Sequence, residues 1–333
     1  MELVFSYVAK ASAFKKGWRE RYMWCLSLLF VYALCAQMGD NMKHGIYYAY
    51  WEQEWEADYK YYIEKAARLG FDILEIAASP IPFYSNKQLD ELRACARGNG
   101  ITLTVGHGPG ADQNLSSAHP EIRKNAIAFY TDLLQRLYKL DVHLIGGALY
   151  SYWPVDYTMS IDKKGDWERS VVGVREVAKV AEACGVDFCL EVLNRFENYL
   201  INTAQEGVNF VKQVGQSNVK VMLDTFHMNI EEDSIGGAIR TAGPYLGHLH
   251  TGECNRKVPG RGRIPWNEIG EALADIGYTG SVVMEPFVRM GGTVGSNIKV
   301  WRDISNGADE ERLDKEAQAA LEFSRYMLEN RKM

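Results

Sequence analysis

From Met42 onward, short runs of apolar residues alternate with segments whose apolar positions recur every three or four residues. The runs HGIYYAYW (44–51), DILEIAA (72–78), ITLTVGHG (101–108) and VHLIGGALYSYW (142–153) read as strands. So do DFCLEVLN (187–194), VKVMLDTFH (219–227), LGHLHTGE (246–253) and SVVMEPF (281–287). Between them, YKYYIEKAARLG, NKQLDELRACARGNG and the stretches 119–140 and 165–185 carry helical spacing, with Gly100 and Gly185 as C-terminal stops. Continuous apolar strands alternating with helices imply a parallel sheet covered on its outer face. Eight such units, with no linker or composition shift among them, predict a single (β/α)8 TIM barrel over residues 42–333, with active-site groups at the C-terminal strand ends. An open doubly wound sheet is the alternative. It more often shows a G-x-G-x-x-G turn after its first strand, which is missing here.

Polar residues break into these runs at late strand positions: Glu75, His107, Glu191, Asp224, His250 and Glu285. Four of them, Glu191, Asp224, His250 and Glu285, fall on consecutive strands of the second half, so a closed barrel brings them to one mouth. Three carboxylates packed together repel, and a divalent cation is the simplest compensation. Three oxygen ligands and one imidazole suit Mn²⁺, Mg²⁺ or Co²⁺ better than a thiolate-rich zinc site. Singly, each residue has a plainer reading. A lone strand-end Glu is commonly an ion-pair partner, and His248 fits a core position or support behind a ligand. His227 lies beyond its strand, open to metal binding, substrate contact or a loop cap. Four ligand types on four successive strands are harder to dismiss.

The first 41 residues differ from the rest. Five lysines and arginines against three acidic residues leave them at +2, so the remainder of a chain of net charge −6 carries −8. The apolar run MWCLSLLFVYALCAQ has about the length of a signal-peptide core and is short for a membrane span. Residues 1–41 are expected to be a leader or a mis-assigned upstream start, with a folded segment as the third reading. With 47% hydrophobic and 24% charged residues the chain is of ordinary globular composition, and its acidic balance argues against a nucleic-acid partner. Cys95, Cys184, Cys189 and Cys254 show neither CxxC spacing nor disulfide density. A cytoplasmic protein with no membrane attachment in residues 42–333 is expected, with export as the alternative if the leader is a true signal.

Five segments narrow the chemistry: SYWPVDY (151–157), EVLNRFENYLINTA (191–204), VMLDTFHMNIEED (221–233), GHLHTGECNRKVPG (247–260) and VVMEPFVRMGG (282–292). They closely resemble the ketose 3-epimerases, the D-tagatose 3-epimerase and D-psicose (D-allulose) 3-epimerase family within the xylose-isomerase-like barrels. The resemblance runs from Met42 nearly to the end and leaves out only the leader. It implies that Glu191, Asp224, His250 and Glu285 hold one divalent ion, usually Mn²⁺ or Co²⁺, with no organic cofactor. It also implies that Glu197, His227 and Arg256 contact the O1–O2 end of a ketose, that Tyr47 and Trp153 form apolar walls, and that the protein is a homodimer or homotetramer.

The chemistry fits on its own terms. Epimerising C3 of a ketose removes a proton beside the C2 carbonyl and returns one on the opposite face through a cis-enediolate. This calls for a Lewis acid and two acid/base groups, for which Glu191 and Glu285 are the candidates. The expected substrates are D-fructose and D-psicose, then D-tagatose and D-sorbose. An aldose–ketose isomerase or inosose dehydratase on the same barrel is the nearest rival. A phosphosugar epimerase would use MGGTVGSN (290–297) after the last strand, where barrels often bind phosphate. An abasic-site endonuclease would want a basic face, and a non-catalytic sugar binder would need no acid/base pair.

Overall fold

The computed structural model describes residues 42–329; the leader expected over residues 1–41 lies outside the described residues. Eight parallel strands close into a barrel in sequence order: β1 Lys43–Tyr47, β2 Ile73–Ala77, β3 Thr102–His107, β4 Leu144–Gly147, β5 Asp187–Glu191, β6 Val219–Asp224, β7 Leu246–Thr251 and β8 Ser281–Met284. Closure is made by β1 and β8, with Gly45 opposite Val283 and Ile46 opposite Met284. The helices are α1 Tyr59–Leu69, α2 Asn86–Gly98, α3 Pro120–Leu140, α4 Lys163–Ala183, α5 Ala204–Val214, α6 Thr225–Glu231, α7 Ile235–Ala242, α8 Trp266–Asp275, α9 Gly292–Ile298 and α10 Glu310–Glu329.

Local sequence accounts for these elements. In α1, Tyr59, Tyr62, Ile63, Ala66 and Leu69 fall on one buried face, Asp58 caps the first turn, and Gly70 ends the helix in the left-handed region. In β2, ILEIA is buried throughout, as expected of a strand with barrel interior on one side and helices on the other. Gly147 ends β4 at φ 124°, and a Cβ there would sit 2.2 Å from the His107 carbonyl oxygen, so only glycine lets β3 and β4 approach at the mouth. The last helix is tied back to the first by the fully buried Lys65, which donates to Glu310 and Asp314 and lies over the Trp51 ring.

The strands are shorter than the apolar runs. Residues 48–50 form a helical turn rather than the end of β1, and β4 stops at Gly147 while its apolar run continues to Trp153. Residues 48–51 and Ala148, Leu149 and Tyr150 stay buried past the strands, while Tyr152 and Trp153 are partly exposed. The run 219–227 divides at Asp224, and His227 stands in the first turn of α6. Among the described residues the four cysteines are free, and no helix is long and apolar enough to cross a membrane.

Candidate active site

The carboxylate of Asp224 does two things. Its Oδ1 accepts from the backbone N–H groups of Phe226 and His227, capping α6, so the strand-to-helix turn has a local cause. Its Oδ2 is buried without a hydrogen-bond partner. On the neighbouring strand, register pairs Asp224 with His250, whose Nδ1 is also buried and unpartnered and lies 3.9 Å from Asp224 Oδ2. Glu285 follows β8 directly, its N–H still bonded to the Thr251 carbonyl, and its Oε2 stands 3.6 Å from the same Nδ1. With Glu191 at the end of β5, these residues offer four ligand atoms all within 4.8 Å of one another.

Electrostatics shows what the cluster lacks. Burial, then repulsion from Glu285, raises the pKa of Glu191 well above the ordinary carboxylate range. Burial should lower that of His250, yet the Glu75 and Glu285 carboxylates outweigh it and push the imidazole well above its usual value. Both shifts mark a place short of positive charge. Two orphaned buried donor atoms in a three-carboxylate, one-imidazole set fit a divalent cation.

Behind His250 lies Glu75, fully buried on β2. Its Oε1 accepts from His250 Nε2 at 2.6 Å, and its Oε2 accepts from His248 Nε2 at 2.9 Å and the Thr104 hydroxyl at 2.8 Å. Burial alone would raise its pKa, but His250 and His248 pull it far below the usual value, so it is ionised. The bond to Nε2 fixes the ring so that Nδ1 faces the cluster, where a cation could replace its proton. Glu75, His248 and His250 also lie close enough to bind an ion, but their facing atoms are already hydrogen-bonded to one another. The strand pattern marks Glu75 as polar without giving it a role. Nothing local could, because its partners are 173 and 175 residues away.

Above the cluster opens a cavity of about 290 Å³, small as ligand sites go. Tyr47, Trp153, Glu191, Glu197, His227, His250, Arg256 and Glu285 all line it, and Asp224 lies beneath. The structure thus brings together all nine residues singled out from the sequence. Arg256 donates to Glu197 at 3.0 Å and Glu285 at 3.5 Å, and its guanidinium lies 3.6 Å from the Phe226 ring centre. Trp153 donates to Glu197 Oε2 at 3.2 Å. Burial opposes ionisation of Glu197, yet His227 and Arg256 hold its pKa below the usual carboxylate value. Two further walls, Trp55 and Phe287, escape the sequence reading. Phe287 could have been found from its place two residues after Glu285, but Trp55 sits in a loop without periodicity.

A family model described as the xylose isomerase-like TIM barrel matches residues 63–322. The chain is 88% identical over 288 residues to a D-psicose 3-epimerase of Ruminiclostridium cellulolyticum, covering 86% of this chain and 98% of that protein. It is 60% identical to a D-psicose 3-epimerase of Agrobacterium fabrum, over 86% of this chain and 99% of the other. A crystal structure of D-psicose 3-epimerase with D-tagatose, from Clostridium cellulolyticum H10, superposes with a TM-score of 0.86 at 88% identity, covering 86% of this chain and 100% of that one. The chain belongs to the ketose 3-epimerase family.

As a ketose 3-epimerase it is an isomerase, and the two rivals that needed another site find little here. The N-terminus of α9, in the MGGTVGSN stretch, is already served by an acid: Glu54 Oε2 accepts from the Thr293 hydroxyl at 2.6 Å and its N–H at 3.2 Å. A phosphate there would have to displace a carboxylate. The small cavity and acidic cluster likewise offer no track for a nucleic-acid backbone.

Proposed function

We propose that the chain is a metal-dependent 3-epimerase of free ketohexoses, with D-fructose and D-psicose (D-allulose) its first pair and D-tagatose and D-sorbose its second. The observation that carries this reading is the presence of Glu191 and Glu285 in one buried donor cluster at the floor of a sugar-sized cavity. Glu191, Asp224, His250 and Glu285 would hold one Mn²⁺ or Co²⁺, with Mg²⁺ as a third choice. When bound, the ion supplies Lewis acidity toward the C2 carbonyl.

The chain's own residues do the rest. One glutamate, as carboxylate, takes the C3 proton on one face of the sugar; the other, protonated, returns a proton on the opposite face, and the roles exchange in reverse. Burial and the neighbouring Glu285 carboxylate raise the pKa of Glu191 in the metal-free site, in the direction an acid needs. Negative charge growing on O2 of the cis-enediolate faces the Arg256 guanidinium and His227. Glu197 holds Arg256 in place, and Tyr47 and Trp153 close on the carbon chain. Residues 42–333 form the catalytic unit in this proposal. The free cysteines agree with a cytoplasmic location, and the assembly is a homodimer or homotetramer by analogy with the family.

The test is to strip the protein with chelator and incubate it with D-fructose in D₂O, with and without Mn²⁺, reading products by NMR. D-Psicose carrying deuterium at C3, formed only with metal, is the expected result. An aldose product without deuterium at C3 would move the protein to the isomerases, and no turnover of any free ketose would sink the reading.

A further inference from the structure

Asn194 lies three residues past Glu191, at the start of the loop that carries Glu197, and is buried. Its side-chain amide is engaged on every side. Oδ1 accepts from the Phe196 N–H at 2.9 Å, and Nδ2 donates to Glu197 Oε1 at 3.3 Å and to His227 Nδ1 at 2.7 Å. The backbone N–H of Asn194 points at the same Nδ1 from 3.3 Å. The amide has only one workable orientation. Turned over, its oxygen would face the Glu197 carboxylate, and its NH₂ would face the Phe196 N–H. Two donors therefore converge on His227 Nδ1, which has to offer them its lone pair.

We infer that Asn194 is a positioning residue for the epimerisation: it holds His227 with Nδ1 bare and the proton on Nε2, so that the ring presents an N–H donor to the cavity. The surroundings of Nε2 call for a donor. Glu191 Oε1 lies 3.7 Å away, and the ketose end placed beside it by the epimerase reading is all oxygen. Against an ionised Glu191 carboxylate, a bare Nε2 would set lone pair against lone pair. The same amide steadies Glu197, which accepts from Arg256 and Trp153, so one buried side chain sets the aim of two cavity groups at once. The positioning role rests on the epimerase reading; the position of the proton does not.

The test uses the full chain, loaded with diamagnetic Mg²⁺ and carrying ¹⁵N-histidine, with long-range ¹⁵N–¹H spectra; His227→Gln identifies the His227 signals. The wild type should show a protonated Nε2 and a bare Nδ1. Asn194→Asp places an oxygen where the amide NH₂ stood and should move a proton onto Nδ1. Its kcat for ketose epimerisation should fall by about tenfold or more, and because the new carboxylate stands beside Glu197 its unfolding midpoint falls as well; the neutral Asn194→Ala is therefore the control, with kcat lowered and Mn²⁺ affinity near wild type. A merely structural asparagine would lower the unfolding midpoint of Asn194→Ala and leave its kcat near wild type. If Asn194→Asp does not fold, Asn194→Ala replaces it, and His227 should then populate both tautomers. A wild-type proton on Nδ1 overturns the inference outright. So does an unmoved proton in the variant, or a moved proton with wild-type kcat. Absence of any turnover in the wild type defeats the positioning role through the reading beneath it, and is told apart because the nitrogen spectrum still reports Nε2–H.

Discussion

Replacing Glu75 with glutamine separates the charge behind His250 from the shape that carries it. Glutamine can enter without stranding a donor. Its carbonyl can keep the His250 bond if its NH₂ takes the other side, where the Thr104 hydroxyl can turn to accept. His248 can also accept there, because its Nδ1 has no partner and can take the proton displaced from Nε2. What changes is the acceptor facing His250 Nε2, from a carboxylate at 2.6 Å to a neutral amide. A hydrogen bond to a charged group contributes about 1.5–3 kcal/mol and a neutral one about 0.5–1.5, so the imidazole loses roughly 1–1.5 kcal/mol of polarisation and fixing. If His250 is an ion ligand, that loss appears as Mn²⁺ affinity lower by about tenfold. Calorimetric titration of chelator-stripped protein at neutral pH measures it, and urea unfolding without metal should show a lower midpoint, since the buried Glu75–His250 pair is lost as well. Unchanged or tighter Mn²⁺ binding would refute the reasoning. Glu75→Leu is the contrast, since it leaves three buried donors unpaired at roughly 1–3 kcal/mol each and should fail to give a stably folded protein.

Glu191→Gln and Glu285→Gln should each slow deuterium exchange at C3 by about 10²- to 10⁴-fold, the range for losing a general acid or base; NMR of D-fructose in D₂O reads this directly. Asp224→Asn should keep the cap on α6 and lose Mn²⁺ binding, whereas Asp224→Ala should lose both and unfold about 1 kcal/mol more easily in chelator. Equal urea midpoints for the two would deny the capping role. Ion binding should weaken as pH falls, because burial and then Glu285 raise the Glu191 pKa and a proton competes with the cation for that carboxylate. Mn²⁺ titrations across pH should therefore turn above the ordinary carboxylate range, and a midpoint within that range would contradict the assignment. Burial lowers the pKa of His107 from 6.5 to about 4, so the unfolded chain takes up the proton first. Stability from the neutral ring is full above pH 6.5 and lost toward pH 4, by about 3 kcal/mol. His107→Asn should show that much less acid sensitivity in urea midpoints.

The barrel was legible because β–α alternation is written locally, in strands of continuous apolar residues and helices with one apolar face. The candidate cluster was legible for a related reason. In a closed barrel every strand end points to the same mouth, so strand position alone brings Glu191, Asp224, His250 and Glu285 together without knowledge of any pairwise contact. Residues that act across the interior do not share this property. Glu75 stands on β2 and reaches its histidines on β7 through the middle of the barrel, and no periodicity in either segment reports that approach. Asn194 is hidden for the opposite reason. It sits in a loop rich in polar residues, where one more asparagine carries no signal until its hydrogen bonds are seen.

Asp224 shows why the site falls where it does. A strand that turns straight into a helix leaves the first N–H groups of that helix without partners, and an aspartate at the junction satisfies them with one oxygen. The second oxygen is then fixed in direction and excluded from the cap, buried where it finds no donor of its own. Folding thus prepares half of a ligand at no extra cost in side-chain entropy, since the cap has already ordered the carboxylate. The same holds for His250, whose orientation is set by Glu75 before anything binds on its other face. A cluster so arranged is pre-organised from behind, and its remaining deficit is positive charge. Metal binding should consequently raise the unfolding midpoint of the wild type, and do so far less in Asp224→Asn, where the cap survives but the free carboxylate oxygen does not.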